Sequence, residues 1–157
     1  TAAIVATLSA RDPANAAAYK ANGEAATARI EALMEELRQE MKPFSGAPYV
    51  VFHDATQYFD LDFGTEAVGS VSVSPEVPPS ARRLAEIRGR IQSLGVKCVL
   101  ADPQTPQRLV ATVTEGTRAR SAVLDAEGST IEPPGPGLWF TLMRKAAETM
   151  KGCLGGP

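Results

Sequence analysis

The stretch Tyr49-Val50-Val51-Phe52, followed at once by His53 and Asp54, decides how this sequence is expected to fold. Its first four residues form a short, continuous apolar run that is rich in β-branched and aromatic side chains. A run of this kind is typical of a strand that is buried on both faces of a parallel sheet. The polar pair after it marks the end of the strand.

Three further apolar runs follow, and helical segments separate them. The run at 69–73 is weak, the one at 98–101 is clear, and the one at 122–124 is short. The helices carry apolar residues on one face: Leu84, Ile87, Ile91 and Leu94 after a Ser80 cap and before Gly95; Leu109, Val110 and Val113 within 106–115 and before Gly116; and Trp139, Leu142, Met143, Ala146 and Met150 in the last helix. The order βαβαβαβα predicts an α/β fold, a four-stranded parallel sheet with helices on both faces.

A long helix is predicted ahead of the first strand. Asp12-Pro13 is a helix-start signal, and no further proline occurs before Pro43. Apolar residues recur at three- and four-residue steps in its second half, at Ile30, Leu33, Met34, Leu37 and Met41. About 28 residues at about 1.5 Å each would measure roughly 42 Å, close to the diameter of a domain of this size. A helix of that length is expected to join something at each end, or else to lie on the surface of one domain.

The composition limits the classes of function. A chain of 157 residues with 44% hydrophobic and 22% charged residues fits one packed domain and excludes a disordered tail. Sixteen basic residues against 18 acidic ones give a net charge of −2, so no nucleic acid or anionic membrane is expected as a partner. No stretch approaches a membrane span, and no phosphate-binding glycine loop is present. With a single histidine and two cysteines, any chemistry is sparse.

Polar residues follow every predicted strand, where open parallel sheets bind their ligands. They are His53 and Asp54, then Ser74 and Glu76, then Asp102, and finally Asp125. Imidazole and carboxylate groups are ligands for a divalent transition metal, but one histidine makes a poor closed zinc site. The other interpretation is that the aspartates after the strands cap the following helices and that His53 is an ordinary loop residue.

The two cysteines leave two possibilities open. Cys98 begins the third strand, and Cys153 is expected just beyond the last helix, in a segment 151–157 that has the pattern of a helix stop and tail. They meet only if that helix packs beside the sheet, and a disulfide would then indicate an oxidising compartment. Two separate buried thiols in a cytosolic protein are the alternative.

Several blocks of the sequence resemble one family, in order along the chain. They are 48–55 with Tyr58-Phe59, 74–77 with Pro79, 83–88, 97–104, Leu124-Asp125 with Gly128, and Cys153-Leu154. Together they resemble the C-terminal lobe of the periplasmic zinc-binding proteins of ABC uptake systems, the ZnuA type. The resemblance covers nearly the whole chain, from about Asp12 to Leu154.

The resemblance implies an architecture and a function. Such proteins have two α/β lobes joined by one long rigid helix, and they hold the metal in the cleft between the lobes. Residues 1–43 would then be the connecting helix and 44–157 the C-terminal lobe, with the N-terminal lobe and its histidines outside this chain. The implied function is capture of Zn²⁺ in the periplasm and its delivery to a membrane permease, without enzymatic activity.

The resemblance also implies roles for single residues. His53 falls at the zinc ligand of the second lobe, where manganese relatives carry glutamate, and Asp125 falls at a further carboxylate position that is weaker in zinc members. Cys98 and Cys153 match a disulfide of some zinc members, and Asp102 receives no role. With only His53 and Asp125 from this lobe, the isolated chain is expected to bind zinc weakly.

Two alternatives come from other classes. One is a receiver-like phosphoacceptor or small Mg²⁺-dependent α/β protein, with Asp54, Asp102 and Asp125 holding the metal at the strand ends. The other is a binding lobe for a different solute. The first of these lacks a lysine after any strand at the same rim.

Overall fold

The computed structural model describes residues 1–72, 79–132 and 134–156. Within these ranges the chain forms six α-helices and four strands: α1 (Ala2–Arg11), α2 (Ala16–Met41), β1 (Pro48–Val51), α3 (Gln57–Phe63), β2 (Glu66–Ser70), α4 (Ala81–Ser93), β3 (Cys98–Ala101), α5 (Gln107–Thr114), β4 (Arg120–Val123) and α6 (Leu138–Gly155). From β1 onward the order is βαβαβαβα, as predicted. None of the helices in these ranges is both long and apolar enough to span a membrane.

The four strands form one sheet in the order β2-β1-β3-β4, and every neighbouring pair is parallel. The predicted parallel sheet is therefore confirmed. Tyr49 of β1 lies opposite Cys98 of β3, and Val51 lies opposite Leu100. These two central strands are almost entirely buried, in agreement with their continuous apolar runs.

Helices cover both faces of the sheet, because alternate residues of the central strands reach different helices. On one face, Val50 and Val99 belong to a buried cluster with side chains of α4 and α5, namely Ile87, Ile91, Val110 and Val113. On the other face, Cys98 is bonded to Cys153 of α6, and Tyr49 contacts Asp60 of α3. The predicted two-sided arrangement is confirmed.

The two edge strands differ from their predicted positions. The second strand is Glu66–Ser70, earlier than the predicted 69–73, whose last residue lies outside the described residues. The fourth is Arg120–Val123, earlier than 122–124. Both strands are at most half-buried. Neither therefore contains the continuous apolar run by which a buried strand is recognised in a sequence.

The last helix was predicted to stop too early. It continues through Gly155, and Cys153 and Leu154 are buried within it. Gly152 does not take the left-handed conformation with which glycine ends a helix, whereas Gly95 and Gly116 do, with φ of 61° and 70°. The guanidinium of Arg120 donates to the Cys153 carbonyl and so satisfies a group of the final turn.

Two apolar residues expected to face inward are exposed. Leu94 is 47% exposed because it lies at the C-cap of α4, where the chain leaves the helix. Trp139 is 39% exposed, in the first turn of α6, and its ring meets Phe140 edge to face at 5.2 Å. The remaining residues of both predicted faces are buried or half-buried.

The chain divides into two compact units, Thr1–Gln39 and Glu40–Pro157. The long helix predicted between Pro13 and Pro43 is present as α2. The helix-start signal at Asp12-Pro13 gives no indication of a helix before it, yet residues Ala2–Arg11 form the separate helix α1. Within the first unit α1 lies directly on α2, since a β-carbon built on Gly23 would stand only 2.3 Å from a methyl group of Val5.

Candidate metal site

A cavity of about 580 Å³ opens at the carboxyl edge of the sheet. Residues that follow each of the four strands line it, namely His53, Ser72, Asp102 and Asp125. The polar residues predicted to follow the strands thus lie at the edge of the sheet that has a cavity. Of the other residues predicted there, Asp54 does not line this cavity, and Ser74 and Glu76 lie outside the described residues.

A second cavity, of about 660 Å³, lies at the opposite edge of the sheet. Its cationic side chains are Lys97, Arg118 and Arg120, and the described residues that line it include no histidine and no carboxylate. A basic surface repels a metal cation. The carboxyl edge is therefore the candidate metal site, although its cavity is the smaller one.

His53 is half-buried at the point where β1 leaves the sheet. The strand is fixed up to the preceding residue, because the amide of Phe52 donates to the carbonyl of Leu100 at 2.8 Å. Beyond it, the amide of Ala55 turns back and donates to the His53 carbonyl at 3.0 Å. The imidazole thus sits on a tight turn beside the cavity.

Asp125 is engaged on both of its carboxylate oxygens. Oδ1 accepts from the amides of Glu127 and Gly128 and from the Ser129 hydroxyl, and Oδ2 accepts from the amide and hydroxyl of Thr130, at 2.7–3.2 Å. Desolvation disfavours the charged form, but the hydrogen bonds, those from Thr130 first, outweigh it and hold the pKa of Asp125 well below its usual range. Asp125 is thus an ionised residue that organises the loop after β4.

The other two aspartates have local partners. Asp54 is exposed, and its carboxylate accepts from the side-chain amide Nε2 of Gln57 at 3.0 Å, where α3 begins. Asp102 is half-buried, and its backbone amide donates to the Thr105 hydroxyl at 3.2 Å. The interpretation in which these aspartates cap the following helices is wrong, because the N-caps of α3, α5 and α6 are Thr56, Pro106 and Gly137.

The described residues contain no group of three or more histidine, cysteine, aspartate or glutamate side chains that could hold a metal ion. His53 and Asp125 share a cavity, but they form at most part of a coordination shell. The magnesium-dependent alternative requires Asp54, Asp102 and Asp125 to act together, and the structure does not bring them into such a group.

Sequence reasoning missed a buried polar cluster beside this site. Tyr49 Oη lies 2.6 Å from Asp60 Oδ1 and 2.8 Å from Thr56 Oγ1. Thr65 Oγ1 donates to the same Asp60 oxygen at 2.5 Å, and the Ala67 amide donates to Asp60 Oδ2 at 3.3 Å. Burial first, and then the bond to Asp60, raises the pKa of Tyr49 far above its usual value. A tyrosine in an otherwise aliphatic strand was the available signal, since a buried phenol requires a polar partner.

Cys98 and Cys153 form a disulfide, with Cα atoms 5.5 Å apart. Both residues are almost completely buried, and the bond joins central strand β3 to α6. Of the two possibilities that the sequence left open, the disulfide implied by the resemblance is the one observed. No cysteine is left free among the described residues, and the sequence contains no others.

The fold defines a class. The parallel α/β arrangement matches that of metal-binding solute-binding proteins among solved structures. Among solved structures, the laminin-binding adhesin Lmb of Streptococcus agalactiae matches with a TM-score of 0.80 and 26% identity, over 96% of this chain and 56% of the adhesin.

The family follows from closer matches. Residues 1–153 match the family model of ZnuA, the periplasmic component A of the zinc-uptake complex, and the chain belongs to that family. It is 44% identical to the high-affinity zinc uptake system protein ZnuA of Brucella abortus strain 2308, over 96% of this chain and 45% of the relative. It is 41% identical to ZnuA of Paracoccus denitrificans, over 98% of this chain and 47% of the relative. The chain thus spans less than half the length of these relatives.

Proposed function

We propose that this chain supplies one half of the metal site of a zinc-capturing protein, with His53 as its ligand. The observation that carries the proposal is that the cavity at the carboxyl edge of a ZnuA-family chain contains one histidine and lacks a three-residue ligand group within the described residues. A chain that spans less than half of its relatives is expected to leave the other ligands to the remainder. In this proposal residues 1–43 contribute the connecting helix, and 44–157 form the C-terminal lobe.

Zinc suits the donor that is present. Neutral imidazole is a preferred zinc ligand, whereas an all-oxygen set would favour magnesium or manganese. Asp125 is the weaker second ligand in this proposal, because any metal that it binds must compete with five hydrogen-bond donors already on its oxygens. One imidazole and one shared carboxylate fall short of the four ligands of a closed zinc site.

The same proposal includes the cellular role. The protein would act in the periplasm, bind Zn²⁺ as cargo and pass it to the membrane permease of an ABC uptake system, without catalysing a reaction. The names of the relatives support a role in zinc uptake. The buried disulfide supports an oxidising compartment, because such bonds persist there and are rare in the cytosol.

Calorimetric titration of Zn²⁺ into the oxidised chain tests the half-site. We expect binding weaker than about 1 μM, because an incomplete ligand set gives little of the affinity of a closed site. His53→Ala should abolish this binding. Asp54→Ala is the matched control, since it removes the neighbouring exposed carboxylate and should leave binding unchanged.

Two results would count against the proposal. Submicromolar binding that is lost in His53→Ala would show that the chain holds a complete site. Binding that survives His53→Ala unchanged would show that the metal is held elsewhere.

A further inference from the structure

The polar cluster of Tyr49, Thr56 and Asp60 encloses the segment that carries His53. Tyr49 precedes the histidine by four residues and Thr56 follows it by three. Both side chains are buried, at 0% and 4% exposure, and their hydroxyl oxygens are 2.8 Å apart, within hydrogen-bond distance. The two ends of the segment are thus held together at the level of side chains as well as by the backbone.

The hydrogen bonds of this cluster are directional, and the one between Tyr49 and Thr56 is buried. A phenol carries one hydrogen and a carboxylate only accepts, so Tyr49 donates to Asp60, and the Thr56 hydroxyl completes the contact to the phenol oxygen. A buried polar group that loses its partner is destabilised by its full desolvation cost. Thr56 therefore has one favourable position, and movement of the chain there breaks a bond that water does not replace.

Among the described residues, few other backbone hydrogen bonds hold the chain on the far side of His53. On the strand side, Phe52 is fixed by its bond to Leu100 at 2.8 Å. On the other side, the turn from His53 to Ala55 contains one backbone bond, at 3.0 Å. Thr56 is therefore the first residue after the histidine that is buried and fixed.

A second threonine in the cluster provides an internal comparison. Thr65 is also buried, at 6% exposure, and also donates to Asp60, but it lies between α3 and β2. Loss of either hydroxyl removes one hydrogen bond of the same cluster, a buried one at Thr56 and a partly buried one at Thr65. Only Thr56 is connected through a few residues of chain to His53.

We propose that Thr56 is a positioning residue, which, through Tyr49 and Asp60, holds the His53 imidazole in the orientation that binds metal. This inference rests on the proposed role of His53 as a zinc ligand. Groups that orient a metal ligand commonly have a measurable effect on metal affinity although they do not touch the metal.

The test follows the NMR signal of the His53 ring during titration with Zn²⁺. His53 is the only histidine in the chain, so the signal needs no assignment by mutation. Thr56→Val should weaken zinc binding about fivefold, the factor that corresponds to one hydrogen bond of ordinary net strength. Thr65→Val should leave the zinc affinity unchanged, although it should lower the melting temperature about as much as Thr56→Val does. Thr56→Ser, which restores the hydroxyl, should return the affinity to that of the original chain.

Tyr49→Phe keeps the test decisive if Thr56→Val does not fold. It preserves the ring in the core and removes only the hydroxyl that joins Thr56 to Asp60, and it should weaken zinc binding to the same extent. Tyr19→Phe is its matched control, because Tyr19 also donates to an aspartate, Asp12 at 2.8 Å, but within the first compact unit. That variant should bind zinc as the original chain does.

The outcomes separate this inference from the proposed function. If Thr56→Val binds zinc as tightly as the original chain, or if Thr65→Val weakens binding equally, positioning by Thr56 is wrong and His53 remains a ligand. If Zn²⁺ does not affect the His53 signal of the original chain at all, the proposed function itself is wrong.

Discussion

Removal of the Cys98–Cys153 disulfide should strongly destabilise the second compact unit, Glu40–Pro157. The two residues are 55 positions apart, so the bond closes most of the chain from β3 to the end of α6 into one loop. Replacement of both cysteines by alanine opens the loop without leaving a reactive thiol. Both positions are buried, so alanine introduces no new exposed group.

The magnitude follows from the loop length. In the chain-entropy model, a cross-link that closes a loop of this size restricts the unfolded chain by about 4 kcal/mol. For a protein of this size, 1 kcal/mol corresponds to about 2–4 °C in melting temperature, so the double variant should melt roughly 10 °C lower. The cost of the small cavities left by two sulfur atoms adds to this loss.

Urea unfolding measures the effect directly. Trp139, the single tryptophan, lies in the same helix as Cys153 and reports unfolding of that unit by fluorescence. The oxidised chain, the reduced chain and the double alanine variant are compared, and addition of reductant to the double variant controls for effects on other groups. A difference below about 1 kcal/mol between the oxidised and reduced chains would refute the reasoning from loop closure.

Two further predictions concern the loop after β4 and the first compact unit. Asp125→Asn should lower the free energy of unfolding by about 1–2 kcal/mol at neutral pH, because an amide nitrogen cannot accept from Thr130. Because folding lowers the pKa of Asp125, its carboxylate stabilises the folded protein fully above its unfolded pKa of about 3.9. This stabilisation is lost as the pH falls through the lower folded pKa. The free energies of unfolding of the two proteins, measured in urea, should therefore converge in acid. Gly23→Ala should lower the melting temperature, because the added methyl group would overlap Val5. Gly89→Ala is the matched control: it lies in an exposed part of α4, and nothing stands within 4 Å of the added methyl group. This control should stabilise the protein by about 0.5–1 kcal/mol. Equal effects of the two alanine substitutions on thermal unfolding would contradict the close packing of α1 on α2.

The parts of the fold that the sequence predicts well are those in which local pattern and burial agree. The runs 49–52 and 98–101 are apolar because they form the two central strands, and α4 and α5 repeat their apolar residues because one face of each packs on the sheet. The edge strand β2 contains Glu66 and Gly69 and has no such pattern. Helix α3 has seven residues, too few for a helical period to be recognised.

The candidate site was predictable only in outline. The carboxyl edge follows from strand order, so His53, Asp102 and Asp125 could be placed there before the structure was known. The structure adds that Asp125 is saturated by its own loop, which depends on backbone amides that no residue pattern specifies. The bond between Tyr49 and Asp60 depends on how α3 lies on the sheet, and it could not be read from either residue alone.

The most direct test of the central claim is the coordination shell of zinc bound to the oxidised chain, measured by X-ray absorption at the zinc edge. His53 is the only imidazole in the chain and both cysteines are in the disulfide. We expect one imidazole nitrogen at about 2.0–2.1 Å, with oxygen atoms in the remaining positions. A shell that contains no imidazole nitrogen, or one that contains sulfur, would contradict it.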